Sequence, residues 1–155
     1  MRFVLAFLAL AGLYVSILAL RVHNQDPAAA PPCAVTERFD CGAVNHSRFA
    51  SFPPRTFDED PHSPKLHIPV ATLGIIGYGL MALAALFGRM GVLLILAEVG
   101  FFFAAMLTYL EAYVIQKWCI YCLWSQSIVA TILLLTTVIL TTRWYTARRR
   151  NAVTL

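Results

Sequence analysis

The stretch Lys117-Trp118-Cys119-Ile120-Tyr121-Cys122-Leu123-Trp124 places two cysteines at the start of the last long apolar segment of the chain. In a helix that begins near Trp118, Cys119 and Cys122 share one face and can form a disulfide or stay open as a dithiol. A helix N-terminus favours a thiolate, and so does the positive charge of Lys117. The spacing therefore predicts a redox-active pair at the mouth of a membrane-spanning helix. Half of a metal site and two inert apolar cysteines are the alternatives.

The composition of the whole chain is that of a membrane protein. Of its 155 residues, 59% are hydrophobic and 13% are charged, and the mean hydropathy is +0.70. A span needs about 20 largely uncharged residues. Four stretches meet this requirement, namely 3–20, 68–87, 91–115 and 120–142. We therefore predict an all-α integral membrane protein, with a four-helix transmembrane bundle in a single domain over 1–155.

The first apolar stretch, 3–20, could instead be a cleaved signal peptide, with 28–30 as its Ala-Ala-Ala cleavage site. The apolar run is longer than the usual core of about 7–15 residues in a signal peptide. Arg21, His23 and Asp26 would also separate it from the cut. We therefore expect a retained first span.

Segment 21–67 is predicted to be the large extramembrane loop. It is polar and proline-rich, and it carries Cys33, Cys41 and six of the eight acidic residues. The spacing of apolar residues around Cys41 predicts a short amphipathic helix that lies across the mouth of the bundle, with Asp40 or Asn45 near its start.

Two glutamates interrupt the third apolar stretch. Glu98 lies inside it and Glu111 lies near its far end. A carboxylate within a membrane span is a functional candidate by default. For Glu98 the alternative is a protonated carboxyl group that is hydrogen-bonded to a neighbouring helix.

The charge distribution predicts the orientation of the chain. Six basic residues fall on each side of the membrane, but those on the side of both termini are concentrated in very short segments. This density favours cytoplasmic termini. The basic run 148–150 directly follows a span, so it indicates an anchor at membrane lipid and no nucleic-acid site. Four crossings then place all four cysteines on the extracytoplasmic side, where disulfides persist.

Two pairs of thiols on one side suit a relay in which a disulfide passes from one pair to the other through mixed disulfides. A closed zinc site is the competing interpretation. Cys33 and Cys41 are eight residues apart, and no histidine flanks Cys119 or Cys122, so the usual spacing of zinc ligands is missing. A non-enzymatic metal-handling membrane protein that uses the four thiolates remains the alternative function.

Four motifs, in this order, resemble those of the vitamin K epoxide reductase family and specifically of its short bacterial members. They are Cys33-x7-Cys41, Phe39-Asp40-Cys41-x-x-Val44-Asn45-x-Ser47, Ile68-Pro69-Val70-Ala71-x-Leu73-Gly74 and Cys119-Ile120-Tyr121-Cys122. The resemblance covers 3–142. It implies a four-helix bundle around a quinone, ubiquinone or menaquinone, in the bacterial inner membrane. It also implies electron supply from a separate thioredoxin-like extracytoplasmic dithiol protein.

The resemblance also implies a role for each site residue. Cys33 and Cys41 are the shuttle pair, and Cys41 exchanges with Cys119. Cys122 faces the quinone, and Ser47 lies in the cap over it. The implied activity is that of a thiol:quinone oxidoreductase supporting disulfide bond formation.

The chain departs from the family pattern at two places. The link between Ser47 and Ile68 is about a dozen residues longer than usual. Gln126 lies one turn after Cys122, where the vertebrate enzymes have a tyrosine. We expect Gln126 at the quinone. A glutamine in place of the tyrosine argues against epoxide reduction. The other four-helix, quinone-linked family of thiol oxidases is less similar, because its CxxC motif belongs to the first extramembrane loop.

Overall fold

The computed structural model describes residues 1–26, 33, 36–54 and 67–153. Most of them are helical, in five α-helices: α1 (Arg2–His23), α2 (Cys41–Asn45), α3 (Val70–Leu86), α4 (Met90–Leu110) and α5 (Ile120–Val153). A 3₁₀ turn covers Arg48–Ala50, and a π-helical turn, Glu111–Ile115, continues α4. Strands β1 (Ser51–Phe52) and β2 (Ile68–Pro69) pair antiparallel. The candidate cleavage site at 28–30 and most of the long link, 55–66, lie outside the described residues.

Within the described residues, three helical segments are long and apolar enough to cross a membrane: Arg2–His23, Met90–Ile115 and Ile120–Asn151. The predicted span 68–87 contains a shorter apolar helix of 17 residues. It is shorter because Ile68 and Pro69 belong to β2 and Gly88 ends the turn after the helix with a positive φ of 70°. The last helix extends beyond the end of the predicted span at 142. The helix continues to Val153, because neither glycine nor proline follows to stop it.

The four long helices pack side by side, with α1 and α4 each contacting both α3 and α5. Their core is built from small and branched apolar side chains such as Ala9, Leu93 and Ile132. Gly12 of α1 is needed for one close approach, since a Cβ there would lie 2.3 Å from the ring of Tyr78. The Tyr78 hydroxyl donates a hydrogen bond to the Ser125 carbonyl at 2.7 Å and so ties α3 to α5.

The short helix predicted around Cys41 is confirmed as α2. Asp40 is its N-cap, and the Asp40 side chain accepts a hydrogen bond from the Ala43 N–H at 3.0 Å. Just before α2, Phe39 forms a β-bridge with Trp118. The Asp40 N–H donates to the Trp118 carbonyl at 3.1 Å, and the Trp118 N–H donates to the Arg38 carbonyl at 2.8 Å. These bonds hold the loop against the start of α5.

Candidate active site

The structure brings the four predicted cysteines together. Cys33 and Cys41 form a disulfide with a Cα–Cα distance of 5.8 Å, whereas Cys119 and Cys122 are free thiols. Cys33, Cys41 and Cys119 are buried in one apolar cluster with Val22, and Cys122 packs against that cluster. The oxidised pair and the reduced pair are therefore neighbours at one end of the bundle.

Cys119 lies just before α5 and not inside it, because the helix begins at Ile120. This start coincides with that of the predicted span 120–142, and the β-bridge with Phe39 holds Trp118 in extended backbone before it. The Cys119 carbonyl accepts the first bond of the helix, from the Leu123 N–H at 3.1 Å. Cys119 thus occupies the N-cap position, and its sulfur lies close to that of Cys122.

Glu111 reaches this cysteine pair from the end of α4. Its side chain is 1% exposed, and Oε2 accepts a hydrogen bond from the Cys119 N–H at 3.0 Å. Oε1 is also buried and has no hydrogen-bond partner among the described residues. A carboxylate oxygen of Glu111 and the sulfurs of Cys119 and Cys122 all lie within 4.8 Å of one another. The sequence marked Glu111 only as an intramembrane carboxylate.

Asn45 connects the two cysteine pairs. Its Nδ2 donates to the Cys41 carbonyl at 2.8 Å and to the Cys119 sulfur at 3.6 Å. Asp40 caps the start of α2 and Asn45 is its last residue. The helix that Asp40 stabilises therefore positions the Asn45 amide at Cys119. The motif around Cys41 contains Asn45, but the sequence gave no signal for its contact with Cys119, because 74 residues separate the two.

The pKa of the Cys119 thiol, just before α5, is below its usual range. A hydrogen bond from the Cys122 thiol lowers the pKa of Cys119, although burial and the nearby Glu111 charge oppose this shift. The charge of Lys117, which was expected to favour a thiolate, does not contribute to the lowered pKa of Cys119. The Lys117 ammonium instead donates to the backbone carbonyl of Glu37 in the loop. Cys119 is therefore the nucleophile that the local geometry favours.

A cavity of about 470 Å³ extends from the cysteine pair into the bundle. Its walls are mainly apolar side chains of α1, α3 and α4, and Cys122 and Glu111 line its end at the cysteine pair. Ser47, expected in the cap, also lines it, and the Ser47 Oγ is buried without a hydrogen-bond partner among the described residues. Cys119 does not line this cavity.

Two other candidate residues lie away from the cavity. Gln126 is not among its lining residues, and the Gln126 Oε1 accepts a hydrogen bond from the Thr108 hydroxyl on α4. Glu98 is exposed on the outer face of α4. The alternative of a Glu98 hydrogen bond to a neighbouring helix finds no support within the part of the chain that the structure describes.

The spacing of Glu111, Cys119 and Cys122 is one that a metal ion could also use. A closed zinc site needs a fourth ligand, however, and both loop cysteines are tied up in a disulfide. The geometry therefore does not identify these residues as metal ligands, and one closed disulfide beside one open dithiol is the arrangement that thiol exchange uses.

An apolar helical protein with a disulfide packed against a buried dithiol falls into the class of membrane thiol oxidoreductases. Residues 3–137 match the model of the vitamin K epoxide reductase family, so the chain belongs to that family. The resemblance seen in the sequence motifs is thereby confirmed. Proteins of this family are in general quinone-linked thiol oxidoreductases. No curated protein matches the sequence.

Proposed function

We propose that the protein is a membrane thiol:quinone oxidoreductase. It reoxidises a separate thioredoxin-like dithiol protein on the extracytoplasmic side and passes two electrons through its two cysteine pairs to ubiquinone or menaquinone, which supports disulfide bond formation. The observation that carries this proposal is the position of Cys122. Its sulfur lies beside that of Cys119 on one side and borders the apolar cavity on the other.

The first step involves the disulfide between Cys33 and Cys41. A thiolate of the partner protein attacks one of its sulfurs, and a second partner thiolate releases Cys33 and Cys41 as a dithiol. Both cysteines are buried in the structure, at 4% and 0% exposed. The loop must therefore open away from the cluster to admit the partner.

The second step moves the two electrons from the loop to the bundle. Cys41 and Cys119 share one buried cluster, and the Asn45 amide binds the Cys41 carbonyl and the Cys119 sulfur at once. When Cys119 and Cys122 form a disulfide, Cys41 attacks Cys119 and Cys122 leaves as a thiol. Cys33 then attacks Cys41 in the mixed disulfide, which closes the Cys33–Cys41 bond and releases Cys119. The structure has the Cys33–Cys41 bond closed and the Cys119–Cys122 dithiol open, which is the arrangement that follows this step.

The third step takes place at the cavity. Its volume of about 470 Å³ lies within the range of about 300–1,000 Å³ found for small-molecule sites, and its mainly apolar wall with a few polar groups suits a quinone. A bound quinone supplies an acceptor for two electrons and two protons. Cys122 is the thiol that reaches the cavity, and Cys119 closes the disulfide with it.

The membrane arrangement proposed with this function has four spans, cytoplasmic termini and extracytoplasmic cysteines, as in a bacterial inner-membrane protein. The 17 residues of α3 rise by on the order of 26 Å, somewhat less than a hydrocarbon core of about 30 Å. Local thinning of the bilayer accommodates a mismatch of this size at small cost. The short helix is therefore compatible with a fourth span.

The proposal is tested by extracting bound quinone from the purified protein and by assaying quinone reduction. We expect organic extraction to recover ubiquinone or menaquinone with the wild-type protein, and reduced wild-type protein to convert an added short-chain quinone to the quinol. Cys122→Ser should bind quinone but not reduce it. Failure of the wild-type protein to reduce any quinone, with Cys119 and Cys122 shown to be reduced at the start, would contradict the proposal.

A further inference from the structure

Glu111 is the carboxyl group of the cavity wall, and one of its oxygen atoms is left without a partner among the described residues, as is the Ser47 hydroxyl. The Oε2 atom is committed to the Cys119 N–H, while Oε1 is buried and unpaired among the described residues. A buried polar atom without a hydrogen bond is costly, so such an atom in a folded protein calls for an explanation. A group that must take up a proton during turnover provides one.

The position of Glu111 joins the cysteine pair to the cavity. Its carboxylate lies within 4.8 Å of the sulfurs of Cys119 and Cys122, and it lines the cavity together with Cys122. Cys119 itself is fully buried and does not line the cavity. Glu111 is thus a base in contact range of both sulfurs and of whatever occupies the cavity.

The other polar side chains of the wall are less suited to this task. The Ser47 hydroxyl is also unpaired, but a hydroxyl is a far weaker base than a carboxylate. Tyr78 donates to the Ser125 carbonyl and Ser16 donates to the Gly12 carbonyl, so both hydroxyl protons are engaged. The His23 Nδ1 lies 2.5 Å from the Asn45 carbonyl. Among the described residues, Glu111 is the acidic side chain that clusters with Cys119 and Cys122. That cluster, within the same residues, contains no histidine.

The local backbone explains how a glutamate of α4 comes to face this point. The last helical turn before the break is a π-helical turn, Glu111–Ile115, and Gln116 then adopts a left-handed conformation with φ of 56°. The chain reverses there, so that Cys119 returns to its hydrogen bond with Glu111. Single π-helical turns occur frequently at functional sites.

From this geometry we propose that Glu111 is a catalytic proton acceptor, which takes the Cys122 proton when the dithiol is oxidised and passes it to the quinone in the cavity. This inference rests on the proposed function. The thiolate of Cys119 forms the S–S bond with Cys122 as the S–H bond of Cys122 breaks, and two electrons leave the pair for the quinone. Glu111 delivers one proton to the quinone and water supplies the other, so the products are one disulfide and one quinol.

The first test needs no quinone. Reduced protein is oxidised with ferricyanide, which accepts electrons but no protons, and an infrared difference spectrum is recorded. We expect the carbonyl stretch of a newly protonated carboxyl group in wild-type protein, its loss in Glu111→Gln, and its retention in Glu98→Gln, a matched control on the exposed face of α4. A wild-type spectrum without this band, or a band that survives in Glu111→Gln, overturns the proposal.

The second test separates this proposal from the proposed function. Single-turnover reduction of a short-chain quinone by reduced protein should slow by on the order of 100-fold in Glu111→Gln, because a positioned general base typically contributes 10²–10⁴-fold. Glu111→Asp should recover part of the rate, and it also provides a carboxylate variant if the glutamine variant fails to fold. Reduction of the loop disulfide by dithiothreitol should be unchanged in both variants.

The outcomes of the second test are distinct. If wild-type protein reduces quinone and folded Glu111→Gln does so at the same rate, Glu111 has no proton role while the oxidoreductase function stands. If wild-type protein itself does not reduce quinone, the proposed function fails and this inference fails with it.

Discussion

At the scale of single residues, the order of exchange depends on which sulfur of the CxxC motif the loop can reach. Cys119 is buried in the same cluster as Cys41, whereas Cys122 faces the cavity. We therefore expect Cys122→Ser to accumulate a disulfide between Cys41 and Cys119, because the resolving thiol is gone. Non-reducing proteolysis with mass mapping detects this bond. A bond from Cys33 to Cys119, with none from Cys41, would reverse the assigned order.

The acidity of Cys119 gives a pH-dependent prediction. The hydrogen bond from Cys122 lowers the pKa of Cys119, so loss of this donor should raise the pKa and move alkylation of Cys119 to higher pH. Cys122→Ala should show the larger shift, and Cys122→Ser a smaller one, since the hydroxyl can still donate. The measurement is the alkylation rate of Cys119 against pH, with Cys33 and Cys41 kept as a disulfide. An unchanged midpoint in Cys122→Ala would contradict this account.

At the scale of secondary structure, α2 holds Asn45 and the loop cysteines in place, and Asp40 stabilises it as N-cap. Asp40→Ala should cost about 1 kcal/mol of local stability, which corresponds to roughly fivefold faster amide exchange in α2. Asp40→Asn keeps the capping oxygen and should behave like wild type. Glu37→Ala, a change at an exposed acid nearby, serves as control. Equal exchange in Asp40→Ala and wild type would exclude this role for the cap.

The contact between α1 and α3 depends on a missing side chain. A Cβ at Gly12 would lie 2.3 Å from the Tyr78 ring, whereas a Cβ at Gly79 would meet its nearest neighbour, in Leu13, at 4.0 Å. Gly12→Ala should therefore destabilise the bundle by about 1–3 kcal/mol, the usual cost of overpacking, and Gly79→Ala should not. Thermal unfolding in detergent compares the two. Equal unfolding temperatures would show that Tyr78 can move aside without cost.

The sequence predicts those secondary-structure elements that depend on interactions between residues close together in the chain. Long apolar runs identify the helices, and the spacing of apolar residues around Cys41 identifies α2, because both signals are local. Of the two residues expected near its start, Asp40 is the N-cap and Asn45 is the last residue. The β-bridge of Phe39 with Trp118 joins segments about 80 residues apart and leaves no local pattern. It holds Trp118 outside α5, which starts at Ile120.

The same reasoning separates the predictable part of the candidate site from the rest. The four cysteines could be named from their spacing and from the family motifs, and Ser47 from the motif that contains it. The roles of Glu111 and Asn45 depend on a chain reversal at Gln116 and on packing across the loop, which no spacing in the sequence encodes. Gln126 lies near Cys122 in sequence, but its side chain pairs with Thr108.

At the scale of the whole molecule, the bundle keeps one disulfide and one dithiol within a single buried cluster and opens the dithiol to an apolar cavity. Under the proposed function, exchange with the partner at the loop disulfide is thus separated from reduction of quinone at the cavity. The loop would open for the partner, and the cavity would exchange quinone with the lipid. This separation is what a link between a water-soluble dithiol protein and a lipid-soluble oxidant requires.

The most direct test of the central claim is an anaerobic titration of the fully reduced protein with a short-chain quinone. Free thiols and quinol are counted at each addition. The account predicts two thiols lost for each quinol formed, with the first disulfide between Cys119 and Cys122, and no quinol from Cys122→Ser. Stoichiometric quinol formation by the Cys122→Ser protein, or wild-type protein that keeps all its thiols in the presence of excess quinone, would contradict it.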